Sequence, residues 1–149
     1  MNHDPNIWQG EWIWVDSLHD KTEHELVYFR RSFEIPENNE RYKLVLNITA
    51  DTRYKLFMNG DPVVVGPCKG DLQTHYYETI DLSQNLKKGK NVLAAKVLYY
   101  SNHPTAGPRP DFSFSSDTGA FLVEASLINE YGEVVEDLST NDNWKCLKD

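Results

Sequence analysis

Paired aromatic residues are the first feature of this sequence able to do chemistry. Tyr76-Tyr77 and Tyr99-Tyr100 form two pairs, and Trp8, Trp12 and Trp14 crowd the first fifteen positions. An exposed ring stacks on the apolar face of a pyranose, and planar hydrogen-bonding groups beside it select the hydroxyls. Asp71, His75, Tyr76, Tyr100, His103 and Arg109 have the types for such a site, and His75 directly precedes the first tyrosine pair. A structural assignment competes with this one. Aromatic side chains carry large buried area and fill β cores, and rings make up 12% of this chain.

Catalytic chemistry finds less support. No G-x-S-x-G elbow, P-loop or H-E-x-x-H motif occurs. Asp51, Asp61, Asp71, Glu78 and Asp81 offer carboxylate pairs of the kind that run glycoside hydrolysis. With 23 acidic residues such coincidences are expected, and most of these sit beside turn residues, where Asp caps backbone amides. The histidines His3, His19, His24, His75 and His103 are scattered, and His19 and His24, five apart, share neither a helix face nor a strand face. No cofactor is expected. A structural calcium ion stays open, with Asp61, Asp71, Asp111, Asp117 and Asn102 as loop oxygen donors, though no EF-hand-like spacing selects them. Asn47-Ile48-Thr49 fits a glycosylation sequon but falls inside an expected strand.

A long irregular segment, 101–119, carries three of its residues' worth of proline breaks at Pro104, Pro108 and Pro110. Loops beyond about 12–15 residues in a compact domain tend to be functional or disordered. This one also holds His103, Arg109, Phe112 and Phe114, which a solvated linker does not need, and it reads as a binding or docking loop.

Composition sets the bounds around these candidates. At 149 residues and about 150 residues per domain, one domain spanning 1–149 is expected, with its core over about 11–147. Fifteen Lys and Arg against 23 Asp and Glu give a net charge of −8. That balance argues against a nucleic-acid partner, since phosphate binding needs clustered cations. No apolar stretch approaches the roughly 20 residues of a membrane span, and the acidic first twenty residues do not form a signal peptide. Cytoplasmic residence is the default expectation in a bacterium. Cys68 and Cys146 are too few for a disulfide framework and match no metal knuckle, and a bridge between them requires their strands to meet.

The elements that must position these residues are strands. Tyr42, Leu44, Leu46, Ile48 and Ala50 share one face over 42–50, and Tyr54, Leu56 and Met58 continue the two-residue period. Asn59-Gly60 then predicts a hairpin, because both residues tolerate positive φ, with the return strand starting after Pro62. Further strands are expected over 26–35, 76–80, 121–128, 133–138 and 144–147. The stretch 91–100 is apolar on both faces and predicts a central strand covered on both sides. Only 82–86 suggests a helical turn. Eight or nine short strands at this spacing describe an all-β fold, an antiparallel β-sandwich.

The order of motifs is more specific than any one of them. Tyr28-Phe29-Arg30-Arg31-Ser32-Phe33-Glu34-Ile35 is followed by Ile48-Thr49-Ala50-Asp51 and Arg53-Tyr54-Lys55-Leu56-Phe57-Met58-Asn59-Gly60. Gly66-Pro67, Gly70-Asp71, His75-Tyr76-Tyr77-Glu78 and Ile80-Asp81-Leu82 come next, then the turn Leu86-Lys87-Lys88-Gly89-Lys90-Asn91 and finally Asn143-Trp144-Lys145. This order resembles the N-terminal β-sandwich domain of bacterial α-L-rhamnosidases, the family 78 glycoside hydrolases, over about Trp12 to Cys146. The resemblance implies a jelly roll of galactose-binding-like fold. It implies a non-catalytic accessory module that assists carbohydrate recognition, with a rhamnose-containing glycan and the parent chain's catalytic domain as partners. The alternative it leaves is a scaffold that packs on an (α/α)6 barrel and has no ligand of its own. In that family an inverting hydrolysis is carried by carboxylates of the barrel, so no catalytic residue transfers to this sequence. The end of the sequence just after Asn143-Trp144-Lys145 is expected to mark a domain boundary.

Overall fold

The computed structural model describes residues 8–15, 23–68, 76–101, 103, 105–106 and 118–149. Among these, nine strands form two antiparallel sheets. The strands are β1 (Glu25–Ile35), β2 (Tyr42–Asp51), β3 (Arg53–Met58), β4 (Asp61–Gly66), β5 (Glu78–Asp81), β6 (Gly89–Tyr99), β7 (Ala120–Asn129), β8 (Val134–Asp137) and β9 (Lys145–Lys148). One sheet has the order β4-β3-β6-β1-β9 and the other β5-β2-β7-β8. A short 3-10 turn, Ser83–Asn85, occupies the stretch expected to be helical.

The two-residue period is realised as an inward face in β1, β2, β3, β6 and β7. Leu44, Leu46, Ile48 and Ala50 of β2 point inward with Phe121, Val123, Ala125 and Leu127 of β7. They meet Val27, Phe29, Leu56, Met58, Leu93 and Val97 of the larger sheet in one core. Phe121 lies at its centre, with Phe29 stacked at 4.8 Å and Trp144 edge-on at 5.6 Å. Burial of these side chains, each worth about 1.5–3 kcal/mol, drives the two sheets together.

Three expectations are refined. β6 is central, as expected, but only Asn91, Leu93, Ala95, Val97 and Tyr99 are buried, while Lys96 and Leu98 are exposed. Its outer positions read as apolar because Val92 and Ala94 are small residues that tolerate half-exposure, so the strand is covered on one side. The Asn59-Gly60 hairpin forms, with φ of 51° and 88°, yet its return strand includes Pro62. This is possible because β4 is an edge strand and Pro62 faces Phe57 beside a bulge. Cys68 and Cys146 are both free and exposed. Cys68 follows β4 and Cys146 lies on β9, the two opposite edges of one sheet, roughly 20 Å apart at normal strand spacing.

The lysine-rich turn before β6 is held by one side chain. Asn91 is fully buried; its Oδ1 accepts from Lys87 N–H at 3.0 Å and Asn59 Nδ2 at 3.1 Å. Its Nδ2 donates to the carbonyls of Lys87 and Gly89 at 2.7 and 3.1 Å. Asn91 therefore pins two turns to each other. Asn91→Ala strips the partner from these partly buried groups, and the expected loss is about 2 kcal/mol in a urea titration. An unchanged midpoint would show that water replaces the amide without cost.

Candidate functional site

Strand direction gathers the described residues that flank the candidate segments at one end of the sandwich. β1, β3, β5 and β7 begin there, and β2, β4 and β6 end there. Pro67, Cys68, Tyr76, Tyr77, Tyr100, Ser101 and Gly119 consequently share that end.

The two sheets are tied together at this end by Glu78, the first residue of β5. Its Oε2 accepts a 2.6 Å hydrogen bond from the Tyr54 hydroxyl of β3, and its Oε1 accepts from Cys68 N–H at 2.8 Å. Tyr54 is only 2% exposed. Burial first, and the bond to Glu78 second, push its phenol well above the usual tyrosine range. Gly66 lies against this pair, where a Cβ would come within 2.7 Å of both the hydroxyl and the carboxylate oxygen. Any larger residue there would force the pair apart.

This clamp fixes the backbone leading into β5. The Thr49 hydroxyl donates to the carbonyl of Tyr76 at 2.7 Å, so the Tyr76 ring stands out from an anchored main chain and is 50% exposed. Tyr77 is 40% exposed and meets Trp8 edge-on at 5.1 Å. Nearby on the outer face of the smaller sheet, Thr79 donates to Asn47 Oδ1 at 2.7 Å, and Gln9 N–H donates to Glu124 Oε2 at 2.7 Å. Tyr77, Trp8, Asn47 and Glu124 thus stand on one surface, the pairing of rings and planar polar groups that saccharide recognition uses.

A second group lies where β6 ends. Tyr100 N–H donates to Thr52 Oγ1 at 3.0 Å, and Thr52 donates to the buried Asp51 at 3.1 Å. The Tyr100 ring packs edge-on against His24 at 5.4 Å. Ser101 N–H donates to His24 Nδ1 at 3.0 Å. His103 is exposed; its N–H donates to Ser101 Oγ, and its Nδ1 lies 2.8 Å from Thr105 Oγ1.

Of the six residues with saccharide-site chemistry, Tyr76, Tyr100 and His103 are therefore at one end of the fold. Tyr76 is the free platform, Tyr100 is half-buried against His24, and His103 is engaged with its own loop. Asp71, His75 and Arg109 lie outside the described residues, as do Phe112 and Phe114. Sequence reasoning took Glu78 as one acid among many and passed over its role as a clamp. Its only signal was position, directly after two tyrosines and opposite Ile48. Asp81 behaves as expected of a turn acid: its Oδ1 accepts from Ser83 N–H at 2.9 Å, and the bonds to Ser83 lower its pKa. Among the described residues no group of three His, Cys, Asp or Glu is placed to hold a metal ion. Of the expected calcium donors, Asp71, Asn102, Asp111 and Asp117 lie outside those residues, and Asp61 opens β4.

No family model and no curated protein matches this chain. Solved structures do. The family 78 rhamnosidase of Bacillus sp. GL1 is similar over 95% of this chain, with 27% identity and a TM-score of 0.70. The α-L-rhamnosidase of Dictyoglumus thermophilum is similar over 97%, with 18% identity and a TM-score of 0.74. The lectin of Pleurotus ostreatus shares the fold over 95%, with 19% identity and a TM-score of 0.62. This chain spans only 13% and 17% of the two rhamnosidase chains and 35% of the lectin. The resemblance carried by the motif order thus extends to the three-dimensional fold, a sandwich that makes up a small part of each rhamnosidase.

Proposed function

We propose that this chain is a carbohydrate-recognition module associated with a rhamnosidase-like glycoside hydrolase, one that places the glycan and leaves its cleavage to another domain. The observation that carries this reading is the exposed Tyr76 ring on an anchored backbone, followed in the chain by the exposed Tyr77, which meets Trp8. A ring fixed before binding loses little freedom when a sugar stacks on it. The likeness to rhamnosidase domains and to a lectin supports the same reading. The ligand class is a rhamnose-containing glycan, with Tyr76 as stacking platform, Tyr100 and His103 at the same end of the fold, and Asp71, His75 and Arg109 as candidate polar partners by residue type.

Titration of the chain with L-rhamnose and rhamnosylated oligosaccharides, followed by NMR, tests this. Shifts are expected at Tyr76 and Tyr77, and Tyr76→Ala is expected to weaken binding about tenfold, or 1.4 kcal/mol. An unchanged spectrum at sugar concentrations far above a weak lectin affinity would end the proposal.

A second reading has its own observation. Tyr131 and Val134, at the turn into edge strand β8, are 71% and 62% exposed, and Val135 beside them is exposed too. An apolar edge suits a scaffold that packs against a catalytic barrel.

A further inference from the structure

We propose that the outer face of the five-stranded sheet is a second binding surface, one that takes a carboxylate-bearing saccharide such as a uronate-containing oligosaccharide. The strand registers build this face from residues far apart in the sequence. Lys55 of β3 stands directly opposite Lys96 of β6, and Lys96 directly opposite Tyr28 of β1. One row along, Lys145 of β9 stands opposite Arg30 of β1, and Ala94 separates Arg30 from Phe57. All four cations are exposed. Among the described residues the ion pairs are Arg31 with Glu136 and Lys148 with Glu25, and none involves these four.

Like charges directly opposite on adjacent strands destabilise a sheet. Two such pairs on neighbouring rows of one face concentrate positive charge in a chain whose net charge is −8. An anion seated between them removes the repulsion. The face is also shaped for a small ligand. An open hollow of about 530 Å³ lies over Tyr28, Arg30, Phe57, Lys96 and Lys145, within the range of small-molecule sites. Tyr28 and Phe57 line it, with the Lys96 ammonium over the Tyr28 ring at 5.6 Å from its centre and the Lys55 ammonium over the Phe57 ring at 5.4 Å.

Rings beside cations match a sugar that is apolar on its ring face and anionic at its edge. Arg30 offers the planar fork that binds a carboxylate through two parallel bonds. A long polyphosphate suits the surface less well, because the chain's overall negative charge repels an extended polyanion. A flat acidic protein surface would leave the hollow unfilled. This face lies on the strands and not on the loops that hold Tyr76, so the two surfaces are tested separately.

Calorimetry with tri-galacturonate and with its methyl ester, which has the same rings without the charge, provides the test. The acid is expected to bind and the ester to bind at least about tenfold more weakly, with affinity for the acid falling as salt is raised. Arg30→Ala with Lys145→Ala is expected to abolish the difference between acid and ester while leaving the Tyr76 shifts with L-rhamnose unchanged. Both side chains are exposed, so the fold survives. The double variant should in fact melt slightly higher, because a like-charge pair is gone. Equal binding of acid and ester, or unaltered binding in the variant, would overturn the proposal. So would no binding of tri-galacturonate, including the case in which only an acidic protein is captured by this face. Failure of the rhamnose titration alone would not touch it.

Discussion

Phe121→Ala is expected to lower the stability of the fold by about 3–5 kcal/mol, the usual cost of emptying a buried aromatic site. Phe121 is fully buried between Phe29 of the facing sheet and Trp144, with ring centres at 4.8 and 5.6 Å. Its backbone also bridges Ile13, with N–H and carbonyl exchanging bonds of 3.0 Å. Truncation leaves a void between three elements that are already fixed by their own ladders, and fixed walls relax little. The loss is a large part of the roughly 5–15 kcal/mol that holds a domain folded. A urea titration followed by tryptophan fluorescence reads it as a lower midpoint at unchanged slope. A loss below about 1 kcal/mol would mean that Trp144 moves in to fill the site.

How far the sequence leads can be judged from such residues. The inward faces of β2 and β3 are legible, because every second residue from Tyr42 to Ala50 and from Tyr54 to Met58 is apolar. The Asn59-Gly60 turn is legible for the same reason: positive φ needs particular residue types, and the sequence displays them. The basic face was hidden. Net charge counts Lys55, Lys96, Arg30 and Lys145 together with every acid, and only strand order and register bring the four side by side. The balance of −8 thus describes the whole chain and misdescribes this surface. Tyr76 as a platform is half-legible. An aromatic pair signals either core or site, and what separates Tyr76 from the equally paired Tyr99 is burial, which depends on the partner sheet.

The Tyr54–Glu78 clamp makes the most distinctive prediction, because its strength changes with pH. Glu78→Ala leaves a buried hydroxyl and the Cys68 N–H without their acceptor. The expected cost is about 2–4 kcal/mol, since bonds to a charged group are the stronger ones. The Tyr54 phenol sits well above its ordinary value of 10.0 in the folded chain, through burial and the neighbouring carboxylate. Below that value the tyrosine is protonated in both folded and unfolded states, and its contribution is fully present. Above it the unfolded chain releases the proton while the folded chain keeps it, so the unfolded state is favoured. Stability should then fall by about 1.4 kcal/mol per pH unit from this residue alone as pH rises beyond 10.0. Tyr54→Phe removes the titrating group, so its stability should decline less steeply over the same range, even though the variant starts lower. A spectroscopic titration of the phenolates gives an independent readout: Tyr54 should resist ionisation until the chain unfolds, and Tyr54→Phe should shrink that late step by one phenolate. Parallel pH profiles for the two chains would mean that water reaches the hydroxyl and that the clamp does not seal this edge of the sandwich. The Tyr76 platform depends on this edge, because Thr49 anchors its carbonyl two residues before Glu78, where the β5 ladder begins opposite Ile48. Glu78→Ala should therefore weaken sugar binding at Tyr76 together with stability, while leaving the tri-galacturonate affinity of the opposite face unchanged.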